Sequence, residues 1–273
     1  ILGAAALAYL LSGETPPLIQ EAPTEAGGEQ AIPQSYARGV SMREFDPEGV
    51  LRDRTDADEL RRYPQQQLVE LNPNGGLRTA HRPLPDGLHQ EIRHVCSQGG
   101  IQLPPADAEE GWTTEWNSAL PDWFAAAAAA VDAGVLLVID YALEAQRYFT
   151  ARRSDGTLMA VCAQQAGLSP LDQPGEQDLT AHLCIEVVDE AAQRNGWMVG
   201  DQAKQGEALL ALGLVERLHG LQQLPGQQLA EALQRREALL RLVDPAGLGA
   251  FRWLTYRRGL PEDGFSLSGA QGS

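Results

Sequence analysis

The chain is short of positive charge. It carries 21 Lys and Arg against 37 Asp and Glu, for a formal net charge of −16 and a pI near 4.7. Binding to nucleic-acid phosphate needs a basic face to displace counterions, so that class of partner is excluded. Anionic membrane surfaces are disfavoured for the same reason, whereas a cationic partner surface would be attracted. Cysteine is scarce: Cys96, Cys162 and Cys184 are odd in number, widely spaced and free of any C-x-x-C pattern. Neither a disulfide framework nor a zinc site fits, which leaves small buried thiols in a reducing compartment. No internal repeat occurs. Residues 1–11, ILGAAALAYLL, are apolar but fall short of the roughly 20 residues that span a bilayer. With Ile at position 1 and a Pro/Glu/Gly-rich stretch after it, the expectation is the tail of a longer anchor or signal segment. The alternative is a short helix packed on the core.

What is present suits a folded protein. At 273 residues and 43% hydrophobic, the chain can bury a substantial core. Residues 12–34 read as a Pro-rich linker. Strand-like segments follow at Tyr36 to Phe45, Val50 to Ala57 and Gln67 to Leu71. Turn signals separate them at Asp46-Pro47-Glu48-Gly49 and Asn72-Pro73-Asn74-Gly75-Gly76, so a small antiparallel β unit is expected over 35–80. His81 to Val95 has a helical pattern. Asp107, Glu109 and Glu110 make an acidic cluster before Trp112, read as a solvated loop, or else as a docking edge for a basic substrate. Trp116 to Ala133 is predicted as a helix with Pro121 in its first turn and Trp123 and Phe124 in the core.

Gly134 ends that helix, and Val135 to Ile139 is a continuous apolar run. It predicts a strand buried on both faces of a parallel sheet. Asp140 would then stand at the carboxyl end of the strand. In open α/β sheets that is where ligands bind, although an Asp there also caps turns. Beyond it come Tyr141, Arg147, Arg152 and Arg153, and Gly156-Thr157-Leu158 opens a second short strand. Asp178 or Thr180 is expected to cap a helix with Leu183, Val187, Val188 and Ala191 on its apolar face. That places His182 in the first helical turn, where an imidazole binds a proton less tightly and can meet an anion; the other reading is a core histidine bonded to a carbonyl. Helices are expected over 203–212, 214–221 and 227–242, a last strand from Phe251 to Tyr256, and a disordered tail over 259–273.

The wording of the central stretch is specific. VIDYALEAQRYF, RRSDGTL and PGEQDLTAHL occur in this order, followed by KQGEALLALGL and LVDPAGLGAFRWL. Together they resemble the MidA-type family of S-adenosylmethionine-dependent methyltransferases, whose mitochondrial members methylate an arginine of a respiratory complex I subunit. The resemblance covers residues 81–258. It implies an α/β fold: part of a class I methyltransferase sheet, Rossmann-like, with a helical insertion, preceded by a short β-rich segment. It also implies S-adenosyl-L-methionine as cofactor and a protein with an exposed arginine as partner. Carried over residue by residue, it makes Asp140, Tyr141 and His182 the catalytic candidates. Arg153, Gly156, Thr157, Asp178 and Thr180 become the substrate-binding ones. The family's Gly-rich cofactor element has no counterpart here, since the clusters at 26–28 and 74–76 neither follow a buried strand nor open a helix. Its glycine after I-D-Y is Ala142. Little activity is therefore expected of this polypeptide by itself.

The first 80 residues point elsewhere. SYARGVSMREFDPEGVLRDRTDADELRRYP resembles the start of LptC-type proteins of lipopolysaccharide transport, which follow an anchor and a Pro-rich linker with a strand, an F-D-x-x-G turn and another strand. Three readings follow. The chain is a MidA-type methyltransferase portion in the cytoplasm, an LptC-type component anchored to the inner membrane and facing the periplasm, or an inactive join of the two.

Overall fold

The computed structural model describes residues 38–41, 64–162, 165–223, 228–261 and 267, with the backbone alone at 38–41 and Leu168. The expected anchor at 1–11, the linker, the FDPEG turn, the strand at 50–57 and most of the tail lie outside the described residues.

Four strands make the first sheet: β1 (Arg38–Ser41), β2 (Gln65–Leu71), β3 (Leu77–Pro83) and β4 (Thr113–Trp116). They are antiparallel in the order β3-β2-β1-β4. The β2–β3 connection is the expected Asn/Gly turn. Asn72 Oδ1 accepts the N–H groups of Asn74 and Gly76, and Gly75 takes the φ of +82° that other residues avoid. Strand β4 corrects one expectation: Trp116 does not begin a helix. Thr114, Glu115 and Trp116 are buried in a strand paired to β1. The helix, α2 (Leu120–Ala130), starts four residues later with Pro121 in its first turn. It follows α1 (Asp86–Gly99), which Gly100 closes in a left-handed conformation.

The apolar run forms β5 (Gly134–Asp140), a strand as expected, but its sheet is antiparallel. It pairs with β12 (Arg252–Arg258), which pairs in turn with β11 (Met198–Lys204). Leu136 and Val138 are buried while Val135, Leu137 and Ile139 are half-buried. An apolar run reports two covered faces and says nothing about the direction of the partner strand. Among the described residues, parallel pairing occurs in the short pair β6 (Ala142–Leu143) and β10 (Leu183–Cys184) and in an isolated bridge between Thr113 and Asp155. Strand β11 carries a bulge, so that Val199 faces Tyr256 while Gln202, three residues on, faces Leu254.

Helix α4 (Ile185–Arg194) packs on α1, α2 and β11. The core lies between them: Phe124, Leu254, Tyr256 and Ala192 are fully buried, and Phe124 meets the rings of Trp123 and Tyr256 edge-on at 4.9 and 5.1 Å. Each large side chain buried there contributes about 1.5–3 kcal/mol. The short helix α3 (Ala145–Tyr148) follows β6, and a small sheet of β7 (Met159–Cys162), β8 (Gln165–Leu168) and β9 (Asp178–Thr180) stands beside it in sequence. Helices α5 (Gln205–Ala211), α6 (Leu214–Gln222) and α7 (Leu229–Val243) form the helical insertion between β11 and β12. Gln205 ties it down: its Nε2 donates to the carbonyls of Leu242 and Leu248, and its Oε1 accepts from Trp253 Nε1. No helix of the described residues is long and apolar enough to cross a membrane.

Candidate functional site

Asp140 closes β5 opposite Arg252 of β12. Its Oδ1 accepts the N–H of Tyr141 at 2.7 Å, which fixes the carboxylate at the strand end. The Tyr141 ring is 42% exposed, and it lies between two others: Phe251 at 4.2 Å and His182 at 5.5 Å between centroids. Tyr141 and His182 are thus brought together from positions 41 residues apart in sequence by the β6–β10 pairing, reinforced by the N–H of Leu183 donating to the carbonyl of Tyr141 at 2.8 Å.

His182 is not in a helix, contrary to the sequence expectation. Asp178 and Thr180 belong to β9, where Met159 faces Thr180 and Val161 faces Asp178, so they cap nothing. Residues Ala181 and His182 join β9 to β10, and helix α4 begins only at Ile185. The pairing with β7 captures residues that locally favour a helix start. His182 is half-buried, and its proton affinity is lowered by burial first and by the Arg153 charge second, with the Glu115 charge opposing. Its imidazole is therefore neutral near pH 7 and able to accept a proton.

The remaining candidates meet on a residue that sequence reasoning missed. Glu115, 8% exposed on β4, accepts the N–H of Thr157 at 2.9 Å, the Thr157 hydroxyl at 3.1 Å, the N–H of Leu158 at 2.8 Å and the Tyr148 hydroxyl at 3.2 Å. Gly156 has φ +77°, and a Cβ there would collide with the Glu115 carboxylate, so both the turn and the close approach require glycine. The loop is docked on β4 at two further points. Trp112 Nε1 donates to the carbonyl of Thr150 at 3.1 Å, and Thr113 N–H to that of Ser154 at 2.7 Å. Arg153 is held by its own Nε donating to the Arg147 carbonyl at 3.0 Å. Phe251 and Tyr148 were also missed. The sole visible hint for Glu115 was an acid inside a short β-favouring run, Thr113-Thr114-Glu115-Trp116.

Next to the site, Glu144 Oε1 meets Arg252 Nη1 at 2.9 Å, and the Glu144 carboxyl is held below its usual range by its own backbone N–H and by that guanidinium. The cavity of about 650 Å³ between the β2–β3 turn and residues 171–177 is lined by none of the candidate residues. Among the described residues no group of three or more His, Cys, Asp and Glu could hold a metal ion.

A nucleotide cofactor would need a glycine-rich turn leading from a strand into a helix. Among the described residues, Gly75 and Gly76 lie in a β-hairpin, and the strand-to-helix links β3–α1, β4–α2, β10–α4 and β11–α5 hold no glycine. The described residues therefore do not fit such a cofactor. They bring Asp140, Tyr141, His182 and Phe251 together at the end of β5, beside a buried polar cluster.

Comparison with known proteins gives the following. A family model described as "Putative S-adenosyl-L-methionine-dependent methyltransferase" matches residues 56–202, more than half of the chain. A second, "Lipopolysaccharide-assembly, LptC-related", matches residues 1–73. None of the curated proteins matches the chain. Two solved structures from Burkholderia thailandensis share the fold. One is an uncharacterised COG1565 superfamily protein, 24% identical, with a TM-score of 0.66 over 86% of this chain and 55% of its own. The other is a member of the same superfamily bound to S-adenosyl-homocysteine, 23% identical, with a TM-score of 0.66 over 86% of this chain and 53% of its own. The chain thus spans about half the length of the solved structures it matches.

Proposed function

The chain belongs to the S-adenosyl-L-methionine-dependent methyltransferase family whose model covers residues 56–202, and from that membership we propose that it is the acceptor-side portion of a MidA-type enzyme that methylates a protein arginine. The observation that carries this reading is the meeting of Tyr141, next to Asp140 at the end of β5, with His182, although β6, α3 and the small sheet of β7, β8 and β9 lie between them in sequence. S-adenosylmethionine supplies the methyl group to such enzymes, and its cradle lies outside the residues described. What these residues do is bind and orient. The Asp140 carboxylate takes a guanidinium by charge-assisted hydrogen bonds. The ring faces of Tyr141 and Phe251 add cation–π attraction. Neutral His182 accepts the proton that the guanidinium nitrogen releases. The surplus of acidic residues draws a cationic segment to this surface.

Calorimetry checks the reading. An arginine-containing peptide titrated into the purified chain is expected to bind, and Asp140→Asn to weaken it about tenfold or more, the effect of losing a charge-assisted hydrogen bond of about 1.5–3 kcal/mol. Equal affinities would remove Asp140 from the role. S-adenosylmethionine titrated into the same chain is expected to give no heat; tight binding would show that the chain does hold the cofactor.

The match of residues 1–73 supports a second reading for that segment alone, an LptC-type piece of lipopolysaccharide transport. We assign the methyltransferase portion to the cytoplasm, which suits its free thiols at Cys96, Cys162 and Cys184. An inner-membrane anchor facing the periplasm would go with the second reading.

A further inference from the structure

A carboxylate with 8% exposure and no basic side chain on its oxygens among the described residues is costly to keep charged unless its hydrogen bonds are complete. Glu115 has four donors, and two of them are hydroxyls that do a second thing. Thr157 Oγ1 donates to Glu115 and accepts the backbone N–H of His182 at 3.0 Å. The single proton of the Tyr148 hydroxyl is shared between Glu115 at 3.2 Å and the backbone carbonyl of His182 at 3.3 Å. The His182 N–H is therefore held by a hydroxyl that Glu115 orients, and the His182 carbonyl shares the one Tyr148 proton with Glu115. These three side chains come from β4, α3 and the turn after Gly156, so they are a support assembled across the fold and not a local turn motif.

We infer that Glu115 is a positioning residue, which through the Thr157 hydroxyl fixes the His182 N–H and, with the Tyr148 proton shared between its carboxylate and the His182 carbonyl, completes a clamp that sets the imidazole against Tyr141. The link between β9 and β10 has only two residues, neither of them in a helix or strand; the β6–β10 pairing brings the second of them to Tyr141, and the clamp fixes its own backbone. The charged and polar groups that face His182 are Arg153 and Glu115, with the Tyr141 ring beside it. The catalytic meaning of the clamp rests on the function proposed above, while the clamp itself rests on the hydrogen bonds.

Proton NMR titration of the histidine ring signals in the full chain tests it. Thr157→Val and Tyr148→Phe each remove one jaw without changing shape, Thr157→Ser keeps the hydroxyl, and Glu115→Gln removes the charge. Released from the clamp, the His182 ring gains solvent and its titration midpoint rises toward the ordinary 6.5 in Thr157→Val, Tyr148→Phe and Glu115→Gln. Thr157→Ser is expected to match the parent, and the signals of His81, His89, His94 and His219 to stay in place in all four. A merely structural role would move every histidine or none. A further fall of the midpoint in Glu115→Gln would mean that Glu115 acts only as a nearby charge, and would overturn the inference. So would an unchanged His182 in both Thr157→Val and Tyr148→Phe, which decide the matter if Glu115→Gln does not fold. A clamp confirmed by NMR alongside peptide affinity indifferent to Asp140→Asn would leave the positioning intact and remove the proposed function.

Discussion

The two best-buried parts of this molecule are held together by opposite means. Between α2, α4 and the sheet of β11, β12 and β5, the core is mainly apolar, with Phe124, Leu254 and Tyr256 fully buried and the bonds of Asp189 to Gln202 and Tyr256 as its polar inclusion. Around Glu115, order comes from saturating one carboxylate with donors from two elements, the turn at Thr157 and Leu158 and helix α3. Apolar packing tolerates substitutes of similar volume, whereas a saturated polar cluster is high-stakes because each lost partner strands another group. The surface at Asp140, Tyr141 and His182 lies where the two meet. β5 delivers Asp140 from the first, and Thr157 and Tyr148 hold His182 from the second.

The contrast can be broken from either side. Phe124→Ala should have the largest effect, a loss of about 3–5 kcal/mol by denaturant unfolding, because it opens a cavity beside Trp123 and Tyr256. Gly156→Ala should cost less globally, roughly 1–2 kcal/mol for the left-handed backbone, plus whatever Glu115 must give to clear the added carbon. Its mark should be local, a shift of the His182 signals larger than in Phe124→Ala. Asp189 sharpens the comparison, since it is a second enclosed acid with fewer donors: Gln202 Nε2 at 3.0 and 2.9 Å and the Tyr256 hydroxyl at 2.9 Å. Burial raises its proton affinity, against which those bonds pull the other way. The folded state therefore takes up the proton before the unfolded one. Stability contributed by Asp189 rises as pH falls through the raised value and is fully gained below the ordinary 3.8. Asp189→Asn should flatten that part of the pH–stability curve. Arg241→Ala, which removes an exposed pair with Glu237, should change stability by less than about 0.5 kcal/mol.

The apolar region was largely legible in the sequence. Val135 to Ile139 reads as a strand and is one, Phe124 reads as core and is fully buried, and the Asn72-to-Gly76 turn and Pro121 stand where expected. These features announce themselves locally, through periodicity and turn chemistry. The direction of the β5 sheet did not, because its partner β12 begins 112 residues after Asp140, at Arg252, and no pattern in either strand encodes the pairing. The polar cluster was legible only in pieces. Gly156, Thr157 and His182 stood out by resemblance to a family, while the acid that joins them lies 42 residues before Thr157 in a segment that resembles the start of a helix. A buried carboxylate becomes recognisable through its donors, and those come from distant parts of the chain.

The irregularity in β11 reaches further than its size suggests. Were the strand to keep step with β12, the residue across from Leu254 would be Asp201, and an acid would look inward at Asp189. One additional residue changes the phase, so a neutral amide arrives there instead and its Nε2 donates to the waiting carboxylate. The strand's miscount thus decides the polarity that helix α4 meets, turning a like-charge conflict into a bond.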